Sequence, residues 1–559
     1  MRISAFLSGI FLFSIISFAS TGAPNIPITR YQLLSWVIGE MSTDHLAIQV
    51  QSRGIAFQPD SAYLELLKSA GASRALLDLL PHTVNAASAT LSSPGTDPAF
   101  EKLAAGAKAV GAMDFASARK SLASAAELRP DDPDLLFALG GIFKDLGDWE
   151  HAAQVNHQAV GIAPDFLDAH LAMSYACYRL YDADCAEAES RLAVQRRPND
   201  AEAHKDLGLA HSLEHDQEGA AREFREAIRL KPDYADAYYD LGNALHDSKD
   251  LDGSAAAYQE AIRLNSKNWK VYYNLGLTLN AEGDYAGSIA AYRKAKELDP
   301  TQLEVRQNLG VQLCETARYE ESVKELRELL VIDPEWNMVR GCLGKSLFFT
   351  GHVDDAIVEY RKAIQDDPSD EMSRLGLGIA LMDGKKQYPE ALAQFQQAEL
   401  YHPDSALPHW NLGRLFFQQS LWEESSREIA AALKIDPKNT RYMGLLAWDY
   451  EGLKRYDRAQ GILEQIIELD KKTLGEASPQ VAKAQAELAQ VLGSQGKYDQ
   501  AKPLYAQAIQ TLRQNPESTG NVLQTVLNNY QQLLRDESAH NSTQAKPGPQ
   551  AGQRDALDR

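Results

Sequence analysis

ADAYYDLGNALHDSKDLDGSAAAYQEAIRLNSKN, residues 235–268, is followed at once by WKVYYNLGLTLNAEGDYAGSIAAYRKAKELDP, residues 269–300. Laid one over the other, Tyr238 meets Tyr272, Leu241 meets Leu275, Gly242 meets Gly276 and Ala261 meets Ala295, at an offset of 34 residues. Each copy holds two stretches of helical periodicity, so the unit is a pair of amphipathic helices, A and B. A unit this short cannot bury its apolar face alone. A fixed period of this size therefore predicts a stacked helical array in which neighbours cover one another.

Working outward, the same frame runs through most of the chain. The eighth position of the unit reads Gly106, Gly140, Ser174, Gly208, Gly242, Gly276, Gly310, Gly344, Gly378, Gly413 and Ala447. The spacing is 34 except between Gly378 and Gly413, where one extra residue falls in the turn DGKKQYPE. The twentieth position holds only alanine or serine, from Ala118 and Ala152 to Ser425 and Ala459. Helices A and B cross where these two positions meet, so only small residues fit. Proline closes nearly every unit, as at Pro130, Pro164 and Pro334, because it lacks the backbone donor needed to continue helix B. This pattern resembles the tetratricopeptide repeat, over eleven units spanning 99–473. The resemblance implies an all-α, right-handed superhelical solenoid of antiparallel helix pairs whose concave face is lined by helix A.

The flanks differ. Residues 1–23 read as a secretory signal, with Arg2, an apolar core from Ala5 to Phe18, and small residues at Ala19, Ser20, Gly22 and Ala23. No later stretch approaches the ~18 apolar residues of a membrane helix, so an exported, periplasmic or secreted protein is expected. Residues 28–82 form a small helical module outside the repeat frame, with Ser61 as an N-cap, and 83–98 read as a linker. Residues 474–515 have a longer lead-in and resemble the 42-residue variant of kinesin light chains. A capping helix at 520–536 and a disordered tail at 537–559 complete the chain.

A formal charge of −21 argues against nucleic acid or anionic lipid as partners, since both need a basic surface. Four cysteines are too few for a disulfide framework. Cys177 and Cys185 fall in the two helices of one unit, where a local disulfide is one reading and buried apolar fillers the favoured one. No phosphate loop, HExxH or Gly-x-Ser-x-Gly motif is present. His211 and His215 stand four apart, but two ligands without a third make a poor metal site. The chain thus reads as non-enzymatic, without metal or cofactor.

Function is then expected on helix A. The sixth position reads Asp206, Asp240, Asn274, Asn308, Cys342, Gly376 and Asn411. This row resembles the asparagine ladder of the repeat region of O-GlcNAc transferase, which implies capture of an extended peptide by its backbone. An amide offers both donor and acceptor, so it can pair with peptide N–H and C=O. A solvated groove face is the alternative. Beside the row stand Lys205, Tyr239, Tyr273, Gln307 and Trp410 at the fifth position, and Asn243, Lys345 and Arg414 at the ninth. The expected function is a scaffold binding extended peptide or helical segments of partner proteins. The competing expectation is a periplasmic component of a polysaccharide-export or secretion machine, resembling the tetratricopeptide subunits of exopolysaccharide export machines, with polysaccharide as ligand on the aromatic platforms.

Overall fold

The computed structural model describes residues 26–84, 97–515 and 521–544. The expected signal, most of the expected linker and residues 545–559 of the expected tail lie outside the described residues. Among the described residues the regular structure is helical, apart from the isolated parallel bridges Ile28–Ile55 and Ile55–Val84. No described helix is long and apolar enough to cross a membrane.

The described residues form two units, divided between Leu298 and Asp299. The first opens with the helices Arg30–Ile38, Thr43–Arg53, Ser61–Ser69 and Arg74–Leu79. Thr29 caps the first through a reciprocal capping box with Gln32. The cap of the third is Asp60, which accepts from the Tyr63 amide at 2.8 Å; Ser61, expected as the cap, is the first helical residue. Six helix pairs follow, from Pro98–Gly111 with Phe115–Leu128 to Trp269–Glu282 with Tyr285–Leu298. The second unit holds six more pairs, from Leu303–Glu315 with Tyr319–Ile332 to Pro479–Ser494 with Tyr498–Gln514, then the helix Val522–Gln544.

The repeat positions do what their chemistry dictates, and somewhat more. A Cβ on Gly276 would lie 2.5 Å from the Tyr292 ring, and one on Gly242 equally close to Tyr258. The twentieth-position serines are more than small residues. Ser254 and Ser288 donate to the carbonyls of Gly242 and Gly276 at 2.8 Å, so each bolts its helix B to the glycine of helix A. Where the eighth position is itself serine, the bond reverses: Ser174 donates to the Ala186 carbonyl at 2.9 Å. The turn between A and B always contains a left-handed residue, Met113, Tyr181, His215 and Lys249 among the non-glycines. Aspartates at the next position, such as Asp114, Asp216 and Asp250, cap helix B. His215 is thereby a turn residue.

Two boundaries differ from expectation. The extra residue between Gly378 and Gly413 is absorbed by a π-helical turn, Ala380–Gly384, that begins three residues before DGKKQYPE and overlaps its first two, after which Lys386 takes the left-handed position. The last helix runs on to Gln544, past the expected end at 536, because Lys502 holds Glu537 at 2.7 Å and the Tyr498 ring packs on His540. Leu533 of that helix fills the space above Gly493, covering the apolar end of the array.

Candidate functional site

Along the first unit, the helix-A face is covered at its start by the chain itself. The N-terminal module and the first three helix pairs share one continuous apolar core running from Ile28 to Ala176. The fit depends on two glycines. A Cβ on Gly141 would lie 2.7 Å from the Ile38 carbonyl oxygen, and one on Gly39 would strike the Phe137 ring at 2.4 Å. Polar contacts then extend along successive repeats. The Trp36 indole donates to Asp134, Lys144 pairs with Glu40 at 2.7 Å, and Lys231 pairs with Asp44 at 3.1 Å. His45 lies between Asp168 and Asp200, with Nε2 2.8 Å from Asp200, and Arg197 stands beside all three. Burial alone would lower the His45 pKa, but the hydrogen bonds to Asp168 and Asp200 outweigh it and raise it to about 10. Both aspartates are held below their ordinary value, the same bonds overcoming burial. The imidazolium is thus a fixed charge at working pH. A cavity of about 280 Å³ remains beneath Glu40–Ser42, lined by Lys144, Tyr175, Lys205, Asp206 and Tyr234.

The predicted row runs on from there. Asp206 is buried and ion-paired with Lys205 at 3.2 Å, and the Lys205 ammonium faces the Tyr175 ring. Asp240 is half-buried near the same lysine, and loss of solvent around it pushes its carboxyl up to about 7. Asn274 donates both to Asn243 Oδ1 at 2.8 Å and to the Tyr239 hydroxyl at 3.2 Å, while the Tyr258 hydroxyl donates to the same Asn243 oxygen at 2.7 Å. The structure therefore brings Tyr239, Asn243 and Asn274 together, and their polar groups bond one another. Tyr273 packs between Trp269 and Tyr292.

In the second unit Asn308 stands half-buried on Leu303–Glu315, and Gln307 accepts from the Trp336 indole at 2.8 Å. The row breaks at Gly376 for a steric reason: the Tyr360 ring occupies the place a Cβ would take, at 2.4 Å. Asn411 is buried, donating to the Leu407 carbonyl at 2.9 Å and accepting from Arg414, whose other arm reaches Asp383 at 3.0 Å. Of the predicted residues, Trp410 and Arg414 line an open cleft of this unit.

That cleft, about 550 Å³, lies across three successive A helices, Ala406–Gln418, Thr440–Gly452 and Pro479–Ser494. Trp410, Phe417, Leu445, Trp448 and Ile466 supply its apolar wall, and Arg414, Arg441, Asp470, Lys483 and Glu487 its ionisable groups. Trp410 stacks on Tyr442 with ring centres 5.0 Å apart and carries the Arg441 guanidinium at 5.0 Å. Trp448 is 40% exposed, with the Lys483 ammonium 5.8 Å above it. Burial pushes Glu487 up to about 7. Gly444 keeps the floor open, since a Cβ there would meet nothing within 4 Å. Sequence reasoning missed Trp448, Arg441 and Lys483. The signal was present for one of them: Trp448 occupies the ninth position, one residue after Ala447.

Two groups of potential metal ligands occur among the described residues. Cys177 and Cys185 with Asp182 form one, but the two sulfurs are joined in a disulfide with Cα atoms 5.8 Å apart, correcting the favoured reading of isolated fillers. The other groups His211 with Glu187 and Glu214, and His215 is not among them.

Comparison with protein families finds models described as Tetratricopeptide repeat at residues 103–165, 239–302, 384–449 and 439–514, and a TPR repeat model at 216–249. A comparison with curated proteins finds no match. Among solved structures, YrrB is 20% identical over 33% of this chain and 95% of its own, with a TM-score of 0.32. Yeast Tom70 is 16% identical over 80% of this chain and 99% of its own, with a TM-score of 0.37. PilF of Pseudomonas aeruginosa is 20% identical over 36% of this chain and 92% of its own, with a TM-score of 0.33.

Proposed function

The chain belongs to the tetratricopeptide repeat family, whose arrays serve as protein–protein interaction scaffolds, and we propose that it is an exported, non-enzymatic adaptor that holds a partner segment in the cleft around Trp410 and Trp448. The observation that carries this reading is the cleft itself. Two tryptophans flanked by a guanidinium and an ammonium form an open aromatic cleft of the kind that an inserted hot-spot side chain would desolvate. The start of the first unit's helix-A face is already covered by the chain's own Glu40–His45 stretch, and the row at Asn243 and Asn274 is internally bonded. An extended or helical segment carrying an apolar anchor therefore fits best at the later repeats. Export is supported by the signal pattern at 1–23 and by the Cys177–Cys185 disulfide, a bond favoured in oxidising compartments.

The test is affinity capture from the envelope fraction of the native organism with the natural chain, Trp410→Ala/Trp448→Ala and Asn274→Ala/Asn308→Ala side by side. The reading expects defined proteins on the natural chain and their loss from the tryptophan variant. Equal capture by the natural chain and the tryptophan variant would refute this cleft as the site. Capture of polysaccharide in place of protein would transfer the reading to glycan assembly.

A further inference from the structure

The chain has four cysteines in 559 residues, and the structure sets them in two apposed pairs. Cys177 and Cys185 are bonded. The other two, Cys314 on Leu303–Glu315 and Cys342 on Arg340–Phe349, are free thiols on neighbouring A helices, 28 residues apart in sequence. The Cys314 thiol donates toward the Cys342 carbonyl at 3.5 Å, which sets the two residues against each other across the helix interface. These are the twelfth position of one unit and the sixth of the next. At the matching pairs elsewhere stand Ser212 with Asp240, His246 with Asn274, Phe348 with Gly376, and Met382 with Asn411. Cysteine occupies both members only here. A buried filler needs no cysteine partner across the helix interface, whereas a cross-link does.

We infer that Cys314 and Cys342 are a second, oxidisable pair that closes into a disulfide joining two successive A helices. Their exposures set the order of the step. Cys314 is fully buried and Cys342 partly exposed, so an oxidant must enter at Cys342. The oxidant is a disulfide, either of a thiol oxidoreductase or of glutathione. Cys342, as thiolate, attacks one oxidant sulfur and expels the other as a thiolate, leaving a mixed disulfide. Cys314, as thiolate, then attacks Cys342 Sγ and expels the second. Two thiol protons are released, and two electrons end on the oxidant. The contact between the two lowers the Cys314 pKa to about 7 against the effect of burial and pushes that of Cys342 up, so the first attack waits on loss of the Cys342 proton, whereas the resolving attack by Cys314 follows readily. The bridge would fix the spacing of the helix-A face at the point where Cys342 interrupts the Asn/Asp row.

The full folded chain is equilibrated with glutathione disulfide in excess over glutathione, then denatured, alkylated without reduction, and digested with trypsin. The expected result is a cross-link between peptides 307–318 and 341–345, dissolved by reductant, and absent from Cys314→Ser and Cys342→Ser. In Cys314→Ser the first step has no resolving thiol, so Cys342 should accumulate as the glutathione mixed disulfide. Alkylation of both thiols in the natural chain, or glutathione stalled on Cys342 without a cross-link, would overturn the inference. Cys314→Ser with Cys342 left unmodified would do the same, because the route of entry would then be closed.

Discussion

Replacing Gly276 with alanine tests the crossing on which every repeat depends. The residue lies in regular helix, so alanine costs nothing in backbone conformation and by propensity alone would stabilise by about 1 kcal/mol. Against that stands the Tyr292 ring, with Cε1 2.5 Å and Cδ1 2.6 Å from the added Cβ. The ring is buried and has little room to move. Moving helices A and B apart instead would stretch the 2.8 Å bond from Ser288 to the Gly276 carbonyl. Overpacking of this kind costs about 1–3 kcal/mol, so the net effect is destabilisation of ~0–2 kcal/mol for alanine and more for leucine. Two other glycines separate sterics from conformation. Gly461 has open space in a helix, so Gly461→Ala should stabilise by up to ~1 kcal/mol. Gly283 also has open space, but its φ of 86° is left-handed, so Gly283→Ala should destabilise by about 1 kcal/mol. Native-state hydrogen exchange of Trp269–Glu282 and Tyr285–Leu298 is the assay, because opening of an array is local. Adding Tyr292→Ala to Gly276→Ala should cost less than the sum of the two single changes, since it removes the clash. Gly276→Ala as stabilising as Gly461→Ala would refute the close crossing, and with it the register of the repeats.

Further outcomes follow from the buried charges. His45 has a raised folded pKa, so its contribution is fully present below its ordinary value near 6.5 and is lost as pH rises through about 10. Docking of residues 26–84 should therefore weaken by on the order of 2–3 kcal/mol between about pH 7 and pH 9, read as faster limited proteolysis of the module, and His45→Gln should abolish the dependence. Asp449 is fully buried, accepts from Ser425 at 2.8 Å, and is pushed by burial up to about 7. Its raised pKa means stability present below about pH 4 and lost as pH rises through 7. Asp449→Asn should thus raise Tm at about pH 8, by on the order of 2–4 kcal/mol of stability, and by much less at about pH 5. Asn274→Ala should cost about 1–2 kcal/mol by chemical denaturation because it strips the bonds to Asn243 and Tyr239, whereas a purely solvated amide would cost nothing measurable.

The repeat array was legible because each of its constraints recurs every 34 residues and is settled by residues close in sequence. Gly242 and Gly276, the small twentieth positions and the closing prolines each answer to one local crossing or turn, and repetition makes the pattern readable without a structure. The serine-to-carbonyl bonds were hidden in the same positions, since the hydroxyl shows its use only when helix B is in place. What the tertiary structure alone decided rests on pairs far apart in the chain. That residues 28–82 lie on helix-A faces depends on Gly39 meeting Phe137 and on His45 meeting Asp168 and Asp200, contacts across roughly a hundred residues or more that carry no period. The Asn/Asp row could be read as a row, but only its packing showed Asn274 bonded to Asn243 and Tyr360 filling the place at Gly376. The cysteines likewise stand as four scattered residues in sequence and as two apposed pairs in space. A periodic sequence determines how each unit folds and stacks; which side chains remain free to bind is settled by neighbours that only the assembled units bring together.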